Sequence, residues 1–131
     1  MKIEECTSVQ NWFNHEKKPY AKQTKEVYIK YMGLFCKILN KTPNEIVATV
    51  KGSRRPIDAM ENIEKTLASA MENMEMKARS IHQRLNALHN FWRANGIRLT
   101  PEIMEQIQSK ISKHIRRLAA RIPKRYELPY V

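Results

Sequence analysis

Apolar residues recur at spacings of three and four through most of the chain, and nowhere do β-branched residues alternate with polar ones, so the pattern predicts helices throughout. A first helix is expected over about Ser8 to Lys17. It has Val9, Trp12 and Phe13 on one side, Thr7 or Ser8 as its N-cap, and Lys18-Pro19-Tyr20 as its break. A second starts near Thr24, whose hydroxyl is placed to cap it, and gathers Val27, Tyr28, Tyr31, Leu34, Phe35, Ile38 and Leu39 on a wide apolar face. It reads as the best core helix of the first half. Asn40-Lys41-Thr42-Pro43 supplies a stop, a cap and a proline for a short third helix to about Val50, which Gly52-Ser53-Arg54-Arg55-Pro56 ends.

A fourth helix is expected over about Ile57 to Met74, with Met60, Ile63, Leu67, Ala70 and Met71 inward and the acidic residues outward. A fifth, about Lys77 to Asn95, carries Ile81, Leu85, Leu88 and Trp92 at spacings of four, three and four. It closes at Gly96, the residue type favoured in the left-handed position after a helix. Thr100-Pro101-Glu102 brings together a cap, a proline and an early acid, opening a sixth helix to about Arg121 with Ile103, Ile107, Ile111, Ile115 and Leu118 as its apolar set. Prolines bar a helix over 123–131, which reads as an extended linker. The expected fold is an all-α bundle of five to six helices over residues 1–122, followed by that linker.

Length agrees with one domain, since 131 residues bury one modest core, and 42% hydrophobic residues are too many for a disordered chain. Charge changes the picture more. Lys and Arg number 24 against 13 Asp and Glu, a net of +11, and the excess is uneven. Residues 1–76 are net +2, residues 77–131 are net +9, and 58–75 are locally acidic at −4. A basic half of this kind favours a polyanion, nucleic acid being the commonest, and the plain alternative is a solvated surface. The N-terminal residues lack a signal-peptide core and no apolar run approaches a membrane span, so a soluble, cytoplasmic, nucleoid-associated protein without membrane contact is expected. Cys6 and Cys36 are too few for a disulfide framework and stand in no Cys-x-x-Cys pair, which makes them reduced bystanders.

Candidate chemistry concentrates on the fifth helix. Arg79, Gln83, Asn86, Asn90 and Arg93 recur at four, three, four and three, on the side away from Ile81 and Leu85. Arginine reads guanine edges or phosphates and Asn or Gln pairs with adenine, so this face suits a major groove; as an ordinary polar face it is only solvated. On the sixth helix Lys110, Lys113, Arg117, Arg121 and Lys124, with Arg116 beside them, form a second stripe without amides, suited to phosphate contacts or to solvation. Lys22 and Lys25 near the start of the second helix are placed to help hold a phosphate. His15, His82, His89 and His114 have no metal-ligand spacing, Gly33, Gly52 and Gly96 are isolated, and no nucleophile stands in an elbow or triad pattern. No metal, cofactor or small-molecule substrate is therefore expected, and no complete enzyme.

Two runs carry a family pattern. Thr24-Lys25-Glu26-Val27-Tyr28-Ile29-Lys30-Tyr31-Met32-Gly33-Leu34-Phe35-Cys36 is similar to a Thr-x-x-x-Tyr motif with Phe seven residues later. Ser80-Ile81-His82-Gln83-Arg84-Leu85-Asn86-Ala87-Leu88-His89-Asn90-Phe91-Trp92 is similar to Thr-Ile-Asn-x-x-Leu-x-Ala-Leu-x-x-Phe-Tyr, with Ser80 and His82 standing where the pattern has Thr and Asn. In this order the two runs resemble the core-binding domain of tyrosine recombinases, the phage-integrase and Xer-like family. The tail from Ile122 to Val131 resembles the linker that, in such enzymes, crosses DNA toward the catalytic domain. The resemblance covers about residues 7–96 and the tail; the stretch from Pro56 to Met76 and the sixth helix are longer than a minimal domain needs, and resemble elaborated archaeal or viral versions.

The resemblance implies a SAM-like bundle, here with an extra C-terminal helix, that clamps one face of a double-stranded DNA recombination site while a separate catalytic domain clamps the other. By position it implies DNA contacts from Lys22, Gln23, Thr24 and Lys25 and from Arg79, Ser80, His82, Gln83, Asn86 and Arg93, and it is compatible with self-association on DNA. The family's catalysis uses an Arg, a Lys, a His-x-x-Arg pair, a second His or Trp and a nucleophilic Tyr beyond the linker. His114-Ile115-Arg116-Arg117 spells His-x-x-Arg with only 14 residues after it, a chance match within a basic helix. The expectation is a DNA-binding module that does not itself cleave DNA, cut from a longer recombinase just before the catalytic domain. The alternative is a standalone helical protein-interaction domain, adaptor- or antitoxin-like, that docks a partner helix on the apolar stripes of the fourth and sixth helices.

Overall fold

The structure, a computed structural model, describes residues 2–15 and 20–121, with the backbone alone at 119–121. Among these residues there are six α-helices and no strand. They are α1 (Thr7–Asn14), α2 (Lys22–Leu39), α3 (Pro43–Lys51), α4 (Pro56–Asn73), α5 (Ala78–Ala94) and α6 (Pro101–Arg121), preceded by a 3-10 turn at Ile3–Glu5. The chain is an all-α bundle, as the spacing predicts, and the linker expected at 123–131 lies outside the described residues.

Local chemistry sets several helix ends. Thr42 Oγ1 accepts from the Glu45 N–H at 3.2 Å while Glu45 Oε1 accepts from the Thr42 N–H at 2.9 Å, a reciprocal cap that starts α3 with Pro43 at its first position. The Thr42 N–H also holds the Glu45 carboxyl below its ordinary pKa. Asn40 (φ 53) closes α2 and Gly96 (φ 79) follows α5, both in the left-handed region that stops a helix. Thr100 Oγ1 accepts from the Ile103 N–H at the start of α6.

Two expected caps are replaced. Cys6 is the cap residue of α1, with Thr7 and Ser8 inside the helix, because Asn44 Oδ1 reaches over from α3 and accepts from the Ser8 N–H at 3.0 Å. The last residue of α1 is Asn14 rather than Lys17. α2 opens at Lys22 behind Ala21, so Thr24 sits within the first turn and caps nothing.

The core is built of Trp12, Phe35, Met60, Leu67, Met71, Ile81, Leu88, Phe91, Trp92 and Ile107, all fully buried. α4 is its spine, packing against α2, α3, α5 and α6. Met60, Leu67 and Met71 of α4 and Ile107, Ile111 and Ile115 of α6 are buried, and the two helices pack along their lengths. The facing apolar positions of α4 and α6 thus cover each other, with Ala70, Ile103 and Leu118 half-buried at the edges.

α2 differs from expectation. Only Met32 and Phe35 are fully buried on it; Tyr28, Tyr31, Leu34, Ile38 and Leu39 are half-buried, and Val27 is 41% exposed. The helix packs chiefly against α4, and rings tie it to α1 and through it to α5. Tyr28 stacks on Trp12 of α1 with centroids 4.5 Å apart, and Trp12 meets Phe91 of α5 edge-on at 5.3 Å. α4 differs as well: Glu61 and Glu64, expected outward with the other acids, are buried at 6% and 1% exposure because α5 and α6 bring polar partners to them.

Leu85 is 2% exposed at the centre of α5. Leu85→Ala is expected to destabilise the fold by about 2–5 kcal/mol, through lost apolar burial and the cavity left behind. Denaturant melts check this, and a midpoint equal to that of the unsubstituted protein would remove Leu85 from the core.

Candidate nucleic-acid interface

With Ile81, Leu85, Leu88 and Trp92 turned into the core, the opposite side of α5 must face solvent. Arg79, Gln83, Asn86 and Arg93 are exposed there, and His82 and Asn90 are half-buried. Arg79, His82, Gln83 and Asn86 line one open depression of about 470 Å³. Among the described residues neither Arg79 nor Arg93 is in an ion pair. α6 forms one wall of this face, since Gln108 Nε2 donates to Asn86 Oδ1 at 3.3 Å and Arg93 Nη2 lies 3.8 Å from Met104 Sδ. These pairs run in opposite order along the two helices, so α5 and α6 are antiparallel.

The other flank of α5 faces α2. Arg84, passed over by the sequence reading, donates from Nη1 to the Ser80 carbonyl at 3.1 Å and lays its guanidinium over the Tyr31 ring at 4.8 Å. The signal for it was present, an arginine one helical turn after Ser80 and a tyrosine in the other motif run. Lys22 and Gln23 are exposed at the start of α2, and Thr24 and Lys25 are half-buried, with Lys25 Nζ 5.9 Å from the centre of the Phe13 ring. Among the described residues no hydrogen bond or ion pair joins these four to the α5 depression. Their connection to it is the relay of rings from Phe13 and Trp12 through Tyr28 and Tyr31 to Arg84.

The basic stripe of α6 does not join the α5 face. Lys110 Nζ donates to both oxygens of Glu61 at 3.1 and 3.2 Å, Gln106 Nε2 donates to Glu61 Oε1 at 3.4 Å, and His114 Nε2 is 2.8 Å from Ser69 Oγ. Residue 61 meets 106 and 110 while 69 meets 114, so α4 and α6 are parallel. At about 100° per residue, Lys110 and Gln108 point to opposite flanks of α6, one toward α4 and the other toward α5. Lys113 and Arg117 are exposed and follow Lys110 at three and seven residues, on the flank turned away from α5. The side chain of Arg121, and Lys124, lie outside the described residues. His114, the first residue of the His-x-x-Arg match, is engaged with Ser69 in holding α6 to α4.

Beneath the α5 face lies a buried polar pair. His89 Nε2 and Glu64 Oε1 are 2.7 Å apart, with side chains 4% and 1% exposed. Burial pushes the Glu64 carboxyl above its ordinary pKa, opposed by the hydrogen bond to His89. On α2 burial, with Cys6 and Glu45 adding to it, pushes the Cys36 thiol up to about 11, which keeps it an unreactive thiol near neutral pH. Among the described residues no group of three or more His, Cys, Asp or Glu is gathered to hold a metal ion. No described helix is long and apolar enough to cross a membrane.

Lys110→Ala leaves the Glu61 carboxylate, 8% exposed in its side chain, with Gln106 as its remaining partner. A loss of about 1–3 kcal/mol is expected, the cost of an under-satisfied buried acceptor. Unchanged stability in a urea titration would show that solvent reaches the carboxylate.

Comparison of the chain with protein-family models, with curated proteins and with solved structures gives no match.

Proposed function

We propose that the chain binds duplex DNA through the exposed face of α5, as the core-binding module of a tyrosine-recombinase-like protein, and that this module does not itself cut DNA. The observation that carries the reading is the α5 depression, where Arg79, His82, Gln83 and Asn86 stand together on one rigid helix. Guanidinium and amide groups offer the donors and acceptors that base edges in a major groove require, and Arg93 on the same face adds a cation for phosphate.

Two features support it. The apolar positions of the second motif run, Ile81, Leu85 and Leu88, are buried, and its polar positions His82, Gln83 and Asn86 are on the open side, so the motif divides between fold and surface as a recognition helix does. The acids of α4 nearest to α5 and α6, Glu61 and Glu64, are drawn inward, so the positive charge of α5 is left for an outside polyanion. Lys22–Lys25 at the start of α2 add a phosphate contact beside the same duplex in this reading. Lys113 and Arg117, on the averted flank of α6, add long-range attraction rather than contact with that duplex. Self-association on DNA and residence at the nucleoid belong to the same proposal.

Arg79→Ala combined with Arg93→Ala is expected to weaken duplex binding by a few kcal/mol, each contact being worth about 1–3 kcal/mol, with helical content unchanged. Lys113→Ala combined with Arg117→Ala is expected to weaken it far less. Fluorescence anisotropy of a labelled duplex at about 50 mM and about 200 mM salt reads both, and steep weakening with salt is expected throughout. A folded Arg79/Arg93 double variant with undiminished affinity would take α5 out of the interface.

A further inference from the structure

We propose that the buried Glu64–His89 pair holds a proton beneath the α5 face and makes the DNA affinity of that face depend on it. The binding arm of this inference rests on the DNA reading above.

The pair is the most enclosed polar feature of the bundle. Its 2.7 Å bond joins α4 to α5, and three further polar atoms, Glu64 Oε2, His89 Nδ1 and Trp92 Nε1, are buried without a hydrogen-bond partner. The Trp92 indole N–H lies beside the Glu64 carboxyl, near enough to favour its charged form yet outside hydrogen-bond geometry. His89 sits three residues after Asn86, seven after His82 and four before Arg93, which puts it at the inner edge of the DNA-facing side of α5. The charged group next nearest is Glu61, one turn earlier on α4 and held by Lys110 of α6; α2 and α3 place no charged group against Glu64.

A carboxyl and an imidazole sharing one proton are neutral as a pair, whether the proton sits on oxygen or on nitrogen. Release of that proton to solvent leaves one negative charge in a buried space, where the hydrogen bond from His89 and, after it, the Trp92 dipole only partly offset the cost of burial. Burial favours the protonated carboxyl, so the stability that Glu64 contributes is full below the ordinary glutamate value of 4.5 and is lost as pH rises through the higher folded value. The same charge, held against His89 within one to two turns of Asn86 and Arg93 on α5, repels the phosphates that this part of the face attracts. DNA binding and proton retention are therefore linked, each favouring the other.

Glu64→Gln keeps the shape and a hydrogen bond to His89 but cannot become charged, and every other ionisable group is common to the two proteins. Thermal melts and duplex anisotropy are followed for both from about pH 5.5 to about pH 8.5 at fixed low salt. The melting curves are expected to diverge as pH rises, with the variant the more stable. The unsubstituted protein is expected to lose about threefold or more affinity beyond any loss shown by the variant, the effect of one charge roughly 10 Å from the ligand's. In the unsubstituted protein the ring-nitrogen chemical shifts of His89 are expected to move over the same range, an observation that needs no variant to fold. Parallel melts with invariant His89 shifts would overturn the proton-holding pair. Diverging melts with parallel binding curves would overturn its coupling to the face. Absence of duplex binding by both proteins at every pH would instead overturn the DNA reading, and the melts and His89 shifts would then decide the pair alone.

Discussion

Two carboxylates one turn apart on the inner side of α4 impose the constraint from which the arrangement of the second half follows. A buried carboxylate must find a hydrogen-bond donor or a cation, since leaving it bare in the interior is far more costly than leaving it in water. Glu64 finds His89 on α5, and Glu61 finds Lys110 and Gln106 on α6. Each contact fixes the rotation of one helix about its axis as well as its distance from α4. With His89 facing inward beside Leu85 and Trp92, Arg79, Gln83 and Asn86 have nowhere to point but outward. The outward face of α5 is thus a consequence of what α4 carries inside.

That constraint is also what the chain conceals from a reading of its periodicity. The apolar spacing locates all six helices, and where an end depends on adjacent residues, as at Thr42-Pro43-Asn44-Glu45 or at Gly96, the end is legible too. Where an end depends on a residue far along the chain it is not: Asn44 caps α1 from 36 residues away, and nothing near Thr7 announces it. Glu61 and Glu64 fail for the same reason, since a glutamate on an amphipathic helix counts as outward unless its partner, 49 or 25 residues distant, is known. α2 fails differently. Its spacing gives the inner face only in part, omitting the fully buried Met32 and including the exposed Val27, and it does not give the depth, because Tyr28, Tyr31 and Leu34 are only half-buried, side chains equally suited to cover a core from outside.

The candidate interface divides along the same line. Which residues share the open side of α5 is a property of one helix, so Arg79, Gln83 and Asn86 are legible together from their spacing, whereas His82 beside them was implied only by the family resemblance. Whether the α6 stripe belongs with them depends on which flank of α6 meets α4, a tertiary fact carried by Lys110 and His114. Arg84 was hidden in the other direction. Its partner ring, Tyr31, lies on another helix, and a polar residue at its position on the wheel looks like one more solvated cation.

The net charge of +11 is therefore a poor measure of how many phosphates this surface holds. Lys110 is committed to Glu61 and Arg84 to Tyr31 and the Ser80 carbonyl, so neither is free in the way a solvated lysine is. Counterions are released from DNA only by cations that reach its phosphates, and the slope of affinity against salt counts those contacts rather than the formal charge. Part of the acidic stretch of α4 and of the basic stretch of α6 is paired within the bundle, Glu61 with Lys110, so the charge gradient read along the chain overstates the charge free at the surface. What the pairing leaves unspent lies on α5, at the start of α2 and on the exposed flank of α6 at Lys113 and Arg117, and the ring relay through Tyr28 and Tyr31 ties the first two of these places together.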